Sequence, residues 1–226
     1  MNKLAYFEQI QTLLHANANP QRAVEMRAYM RNQFEFIGIN TPLRRQLVRS
    51  LGSLKWTHDD ALQLAQALWT LSSREYQYVA IDLLARHKKG LQLLDIPILL
   101  ELAQNKAWWD TVDGLAAIVG DVVRLGLGQQ VSAQQQMDQA LESSSMWVRR
   151  IAMLHQLGWR TQTDADRLFS YALRLAPEPD FFIRKAIGWA LRDYARWNPA
   201  TVQKFVHAHS SSLSPLSARE ALKHLR

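Results

Sequence analysis

The sequence contains no cysteine. This absence excludes disulfide bonds, thiolate nucleophiles, and zinc or iron–sulfur sites held by cysteine, and it fits a reducing compartment. The chain also lacks an apolar run of roughly 18 residues, the length that a membrane-spanning helix needs. The opening segment Met1–Glu8 meets charge too soon for a signal peptide. We therefore expect a cytosolic protein without a membrane segment.

Motifs for metals and nucleotides are missing as well. The seven histidines show no metal-ligand spacing such as HExxH, and no P-loop is present, so we expect no metal and no other cofactor. Acidic residues are few: 20 stand against 27 lysines and arginines, which gives a formal charge of +7. Such a surface favours an anionic partner such as nucleic acid, although charge alone leaves DNA, RNA and acidic membranes open.

What the chain does contain is helical periodicity. Apolar residues recur at three and four positions, strand-like alternation is absent, and 48% of the 226 residues are apolar. The pattern predicts one continuous all-α domain over residues 1–226 with roughly eleven helices. Helix-start signals stand at Asn19–Pro20, Thr41–Pro42, Thr57 with Asp60, Ser73, Thr163 with Asp166, Asp180 and Ser214–Pro215.

A weak repeat runs through the second half of the chain. Trp109, Trp147 and Phe182 recur about every 35 to 38 residues, and Trp147–Ala152 aligns with Phe182–Ile187. A period of this length with a helix pair in each unit is typical of an α-solenoid, in which each pair buries its apolar face against its neighbours. The concave side of such a stack is the expected binding surface.

The segment from Phe181 to Arg196 has a polar face that includes an aromatic residue. Lys185, Trp189 and Arg192 lie on it, opposite an apolar stripe. One interpretation is that Trp189 covers a neighbouring helix while the cations are solvated. The other is that the cations hold phosphates around a site where the indole meets a base or sugar.

A second candidate lies in the helix that begins near Trp108. Trp109 and Asp113 are four residues apart and share a face, and the small residues Ala116 and Gly120 leave room beside the carboxylate. The alternative is structural: the tryptophan fills a helix junction and the aspartate caps a helix or pairs with an arginine. Spacing alone does not separate the two interpretations.

Pairs of cations complete the pattern. Adjacent arginines are usually solvated, but in a solenoid Arg149–Arg150 and Arg184–Lys185 occupy the same place in successive repeats and would follow a phosphate backbone. Asn40–Pro42, with Arg44 and Arg45, forms a helix start whose N–H groups and cations are suited to another phosphate.

At Lys106–Asp113 and again at Phe181–Arg192 the sequence resembles the AlkD family of bacterial DNA alkylation repair enzymes. The resemblance extends over nearly the whole chain, through Arg27–Met30, Gly38–Pro42, Arg74–Gln77 and Ser214–Ser217. It implies an α-solenoid of HEAT-like repeats with a concave basic groove. It also implies a glycosylase that acts, without metal or cofactor, on cationic N3- and N7-alkylpurines in duplex DNA, such as 3-methyladenine and 7-methylguanine, and does not flip the lesion into a deep pocket.

The resemblance also implies roles for individual residues. Asp113 matches the catalytic aspartate, Trp109 and Trp189 the groove tryptophans, and Arg150 the DNA-gripping arginine, while Tyr29 resembles an aromatic residue near the same groove. The predicted DNA contacts are Arg150, Arg149, Tyr29, Thr41, Arg45, Lys185 and Arg192. Arg149 departs from the family pattern, which has a neutral residue there. The expected partner is double-stranded DNA containing alkylated purines, bound by a monomer in the bacterial cytosol or nucleoid.

The chemistry implied for this site is simple. A cationic alkylpurine is already a good leaving group, so its departure needs no general acid of the glycosidase kind. An ionised Asp113 would stabilise the oxocarbenium-like sugar and place the attacking water, with the π faces of Trp109 and Trp189 favouring the positive charge. Asp113→Asn is then expected to lose rate but little DNA affinity or folded stability.

Two other functions stay open at this point. One is a non-catalytic helical-repeat module that binds DNA or another protein through the same groove. The other, an RNA-binding solenoid, is less favoured because no regular pair of base-reading side chains recurs in each repeat.

Overall fold

The computed structural model describes residues 2–52, 56–127 and 133–225. Within these ranges the chain forms thirteen α-helices and two short 3₁₀ helices and no strand, apart from an isolated bridge between Glu35 and Ser73. The predicted all-α class is confirmed, with more helices than the roughly eleven expected. No helix in the described part of the chain combines the length and the apolar character needed to cross a membrane.

The chain divides into two compact units, Met1–Leu91 and Gln92–Arg226. The helices of the first unit are α1 (Lys3–Ala16), α2 (Pro20–Tyr29), α3 (Thr41–Ser50), α4 (His58–Thr70) and α5 (Arg74–His87). Those of the second are α6 (Ile96–Gln104), α7 (Trp109–Gly126), α8 (Gln135–Leu141), α9 (Met146–Leu154), α10 (Ala165–Leu175), α11 (Phe181–Ala195), α12 (Pro199–Ala208) and α13 (Pro215–Ala221).

Most of the predicted helix starts are correct because their capping chemistry is local. Thr57 and Asp60 form a reciprocal capping box at α4, and Asp180 accepts hydrogen bonds from the Phe182 and Ile183 N–H groups at α11. Two starts are displaced by one residue: α3 is capped by Asn40 and not by Thr41, and α10 is capped by Asp164, which accepts from the Arg167 N–H, and not by Thr163.

The second unit is built from successive helix pairs. Helices α7, α9, α11 and α13 pack against one another in that order. Each of α6, α8, α10 and α12 packs against the helices of that series that are nearest to it in sequence. This arrangement agrees with a helical-repeat solenoid. The rings of Trp108, Trp147 and Phe182 form a cluster with centroids 5.1 to 6.0 Å apart. The packing aromatic of the first repeat is therefore Trp108, one residue before the predicted Trp109.

Two glycines allow the inner helices of this unit to approach closely. A Cβ on Gly120 of α7 would lie 1.9 Å from the carbonyl oxygen of His155, and a Cβ on Gly188 of α11 would lie 2.5 Å from the Cβ of Glu220. The space that the sequence placed beside Asp113, at Ala116 and Gly120, is thus filled by neighbouring structure: Ala116 is buried and Gly120 meets the end of α9. This corrects the expectation of free room on that face.

In the first unit a buried carboxylate organises the segment that leads into α3. Glu75 of α5 is fully buried and accepts hydrogen bonds from the N–H groups of Ile37, Gly38 and Ile39 at 2.8 to 3.1 Å. Gly38 has a φ of +93° there, a conformation that favours glycine. The start of α3 is therefore held by α5.

Candidate functional site

Asp113 lies on the first turns of α7 and is fixed by an arginine from α9. Trp108 is the N-cap residue, Trp109 is the first helical residue, and Asp113 follows one turn later, as the spacing predicts. Arg150 Nε lies 2.8 Å from Asp113 Oδ1, and Arg150 Nη2 lies 2.9 Å from Oδ2. This two-point pair holds both the position and the plane of the carboxylate.

Arg150 connects three helices of the second unit. Its third nitrogen, Nη1, donates to the carbonyl oxygen of Phe182 at the start of α11, and its Cζ lies 5.4 Å from the ring centroid of Trp189. The side chain is only 1% exposed. The predicted contact of Arg150 with DNA stays a prediction, but all three of its side-chain nitrogens are used within the chain. Its contacts make it the residue that orients Asp113.

The carboxyl of Asp113 is in an unusual environment. Burial raises its pKa above the ordinary value, the hydrogen bonds and charge of Arg150 oppose that rise, and Asp110 adds a smaller upward contribution. The side chain keeps 26% exposure, so it is open on one side while the guanidinium covers the other. A carboxylate that is fixed, partly desolvated and still accessible is suited to stabilise a positive charge that develops close to it.

Trp189 of α11 is half-buried between two protein cations. Besides Arg150, Lys185 places its Nζ 5.2 Å from the indole centroid. The resemblance implies that the π face of Trp189 favours a positively charged sugar. In the structure that π system already interacts with two cations of the protein. A positively charged sugar at this ring would therefore lie close to Arg150 and Lys185.

Glu220 is a member of this cluster that sequence reasoning missed. Its Oε1 lies 2.8 Å from Lys185 Nζ, and its Oε2 lies 2.5 Å from Arg192 Nη1. The carboxylate comes from α13, and Lys185 and Arg192 precede it by 35 and 28 residues. Those cations lower the pKa of Glu220, most of all through the hydrogen bond from Lys185. No local sequence pattern marks the residue, because the helix pairing that brings it to α11 is tertiary.

Arg149, another predicted DNA contact, is also paired within the chain. Its Nε and Nη2 pair with the two carboxylate oxygens of Glu178, both at 2.7 Å, and its Nη1 donates to the carbonyl oxygens of Ser143 and Ser144. All three nitrogens are therefore used within the chain. The residue that departs from the family pattern ties the segment before α9 to the segment before α11.

The predicted residues of the first unit lie on and beside α2 and α3. Tyr29, at the end of α2, is 72% exposed at the rim of a cavity of about 220 Å³ that is lined by mostly apolar side chains. Thr41 is exposed at the start of α3, where its hydroxyl accepts a long hydrogen bond from Arg44.

Arg45 follows on the same helix and forms a two-point pair with Asp82 of α5, at 3.0 and 2.8 Å. The buried Arg44 shares that carboxylate, at 3.1 Å. The side chain of Asn40 caps α3 by accepting the Leu43 N–H, so one of the N–H groups expected to be open to phosphate is already used.

Metal ligands do not converge in the described part of the chain, where no group of three or more histidine, aspartate or glutamate side chains is placed to hold a metal ion. The described site consists of a fixed carboxylate, an indole and several cations.

Comparison with known proteins decides the family. A profile of DNA alkylation repair enzymes matches residues 10–225. The chain belongs to the DNA alkylation repair enzyme family. This family includes AlkD, so the resemblance seen in the sequence is confirmed.

A solved structure supports the same assignment to the DNA alkylation repair enzymes. It is described as a predicted DNA alkylation repair enzyme from Enterococcus faecalis and is 35% identical to this chain, with a TM-score of 0.85. The alignment covers 92% of this chain and 96% of the other. The comparison with curated proteins found no match.

In this DNA alkylation repair enzyme the structure brings five of the predicted residues into one cluster of the second unit, namely Asp113, Arg150, Trp189, Lys185 and Arg192. Each cation in the cluster has an acidic partner. The cluster is thus close to electrically balanced, and its charge depends on two carboxylates from different helices.

Proposed function

We propose that the protein is a DNA glycosylase that hydrolyses the N-glycosidic bond of cationic N3- and N7-alkylpurines in duplex DNA. Membership of the DNA alkylation repair enzyme family supports a role in DNA alkylation repair. The observation that favours the glycosylase is Asp113, whose carboxylate is fixed at both oxygens by a guanidinium that also lies over Trp189. The expected substrates are 3-methyladenine and 7-methylguanine lesions.

The reaction needs little from the protein besides charge and position. The bond between C1′ and the purine nitrogen breaks, its electron pair leaves with the base, and the base departs neutral. Water then adds to C1′ and loses a proton. Asp113 would stabilise the positive sugar and orient or deprotonate that water, while Trp109 and Trp189 would pack on the sugar. Neutral purines lack the labile bond and would react too slowly to matter.

Arg150 has a positioning role in this proposal. Because it is buried and bound to Asp113, Phe182 and Trp189, it would set the orientation of the carboxylate. The proposed DNA contacts that retain exposure are Tyr29, Thr41 and Arg45 in the first unit and Lys185 and Arg192 in the second. A monomer acting in the bacterial cytosol remains part of the proposal.

One observation favours a second candidate, a non-catalytic DNA-binding member of the family. Both oxygens of Asp113 are occupied by Arg150, which is the structural pairing that spacing alone left open. A carboxylate whose charge is balanced in this way stabilises a positive sugar less than a free one does. The two candidates differ in turnover, so an assay of base release separates them.

The test is base release from duplex DNA treated with a methylating agent, with the freed bases measured by chromatography. Release of 7-methylguanine and 3-methyladenine above the spontaneous rate is expected. An otherwise identical duplex that carries hypoxanthine, a neutral base, serves as the control and should stay intact. Binding of the methylated duplex without any release above background would refute the glycosylase and leave the binding module.

A further inference from the structure

We infer that Glu220 is a positioning residue that holds Lys185 and Arg192 one helical turn before and after Trp189, and so limits the positive charge that α11 offers to DNA. The inference rests on the proposed function in one respect, the expectation that this face of α11 meets DNA. It adds a residue from α13, which neither the repeat pattern nor the resemblance marks.

Geometry supplies the first argument. The carboxylate of Glu220 forms a salt bridge with each cation: Oε1 lies 2.8 Å from Lys185 Nζ, and Oε2 lies 2.5 Å from Arg192 Nη1. Lys185 lies four residues before Trp189 and Arg192 three residues after it, so the three side chains share one face of α11. Lys185 Nζ is at the same time 5.2 Å from the indole centroid. Glu220 thus fixes the ammonium group beside the ring.

The carboxylate itself has little freedom to move. Gly188 lets α13 approach α11 so closely that a Cβ there would lie 2.5 Å from the Cβ of Glu220. The buried Ser217, one turn earlier on α13, donates its hydroxyl to the Arg184 carbonyl oxygen at 2.9 Å. These contacts between α13 and α11 set the position of Glu220, and Glu220 sets the positions of the two cations.

Charge supplies the second argument. Two cations and one carboxylate leave a net charge of +1 on this part of the second unit. The side chain of Glu220 is 13% exposed and the cations are 22% and 21% exposed, so the attraction is screened less than at the open surface. A phosphate that approaches Lys185 or Arg192 has to compete with Glu220. The carboxylate therefore weakens the grip on DNA while it keeps the cations in place.

A merely structural salt bridge between α11 and α13 is the competing explanation. It predicts that loss of Glu220 lowers stability and leaves DNA binding unchanged or weaker. The inference predicts the opposite sign for binding, because a released cation becomes available to phosphate. The dependence of affinity on salt concentration counts such contacts directly.

The experiment measures binding of full-length Glu220→Gln to an undamaged duplex across a range of salt concentrations. Glutamine keeps the shape of the side chain and removes its charge. One additional phosphate contact steepens the slope of log affinity against log salt by about 0.9 and tightens binding roughly threefold or more at moderate salt. Glu220→Asp keeps the charge and is expected to keep the wild-type slope.

Glu142→Gln is the matched control. Glu142 pairs at two points with Arg174, at 2.8 and 2.7 Å, in the same unit, and its loss changes the net charge by the same amount. If Glu220→Gln and Glu142→Gln change the salt slope equally, the effect comes from the overall charge of the protein, and the inference is overturned. An unchanged or shallower slope in Glu220→Gln would overturn it as well.

Thermal melts of each variant show whether it is folded at the assay temperature. If Glu220→Gln is not folded there, Lys185→Gln replaces it. That variant leaves Glu220 balanced by Arg192 and is expected to flatten the slope by about 0.9, whereas an unchanged slope would contradict the inference. Because the duplex is undamaged, these results do not depend on base release. A protein that binds in this way but releases no base would disprove the proposed glycosylase alone.

Discussion

At the scale of the residue, Arg150 is a buried cation whose hydrogen-bond partners affect both the stability of the protein and the position of Asp113. A buried guanidinium is tolerated only when its donors are satisfied, and here Nε and Nη2 reach Asp113 while Nη1 reaches the Phe182 carbonyl. Removing either charged partner leaves the other uncompensated. The pair is therefore important for stability whether or not Asp113 takes part in chemistry, and a test of catalysis has to separate the two.

Asp113→Asn is expected to slow base release about a hundredfold, since an electrostatic contribution aimed at a developing charge is worth about 3 kcal/mol. The sequence led us to expect little change in stability. The structure changes that expectation, because Arg150 would stay buried without its counter-charge, and we now expect a loss of about 3 kcal/mol. Single-turnover release of 7-methylguanine, beside a thermal melt and a binding titration, measures both effects.

Asp138→Asn is the control for that variant. Asp138 forms the same kind of two-point pair with Arg167, at 3.0 and 3.1 Å, in the same unit. It should lower stability with no loss of rate in the folded protein. If Asp113→Asn, measured where it is folded, releases base as fast as Asp138→Asn does, Asp113 is a structural residue and the catalytic assignment is wrong.

At the scale of the element, the close approach of α7 and the end of α9 decides whether Arg150 reaches Asp113. Gly120 lies two turns beyond Asp113 on α7, and its missing side chain is what allows the His155 carbonyl to come so near. The small residues on this face thus act by bringing two helices together. Their effect on the site is indirect, through the placement of the arginine.

Gly120→Ala is expected to destabilise the protein by about 3 kcal/mol, because the added methyl group meets backbone atoms that cannot move without shifting a helix. Gly126→Ala makes the same substitution near the end of α7, where the methyl group meets the flexible side chain of Leu93. There the cost should be within about 1 kcal/mol, since alanine also favours the helix. Urea unfolding of both variants measures the difference. Equal losses of unfolding free energy would show that the backbone at His155 moves aside at little cost.

At the scale of the whole molecule, the cations that are predicted to contact DNA are paired with carboxylates. The formal charge is +7, yet the predicted cationic contacts Arg45, Arg149, Lys185 and Arg192 each have a carboxylate partner within 3 Å. Paired cations bind phosphate less strongly than free ones do. The excess of positive charge predicts an anionic partner, but the pairing sets how much of that charge each predicted contact can offer.

A buried histidine links the stability of the protein to pH. His155 is buried, its Nδ1 donates to the Ala152 carbonyl oxygen at 2.6 Å, and its Nε2 lies 2.9 Å from the side-chain amide of Gln134. Burial lowers its pKa from 6.5 to about 4. The folded state therefore keeps this ring neutral at a pH where the unfolded chain already binds a proton.

The free energy of unfolding should accordingly fall as the pH drops below about 6.5, by about 2 kcal/mol between pH 7 and pH 5 from this residue. Carboxylates with lowered pKa values, such as Glu220 and Asp138, lose their contribution only as the pH falls through the acidic range below that window. Urea unfolding at both pH values, for wild type and His155→Gln, measures the effect. The variant should lose most of this pH dependence, and an identical dependence would assign it to other groups.

The sequence by itself determined the features that depend on near neighbours. Helical periodicity predicted the all-α class, capping residues such as Thr57 and Asp180 predicted helix starts, and the four-residue spacing of Trp109 and Asp113 placed both on one face of α7. Each of these follows from backbone geometry within one or two turns, where residue order is the same as spatial order.

Only the tertiary structure decided which side chains meet. Asp113 and Arg150 are 37 residues apart, and Glu220 reaches Lys185 across 35 residues. Whether an arginine pairs with a carboxylate or faces solvent depends on which helices pack together and how closely, and that distance is set by contacts such as Gly188 against Glu220. A single sequence contains the charges but not the separations between helices, and electrostatic interaction and burial depend on those separations.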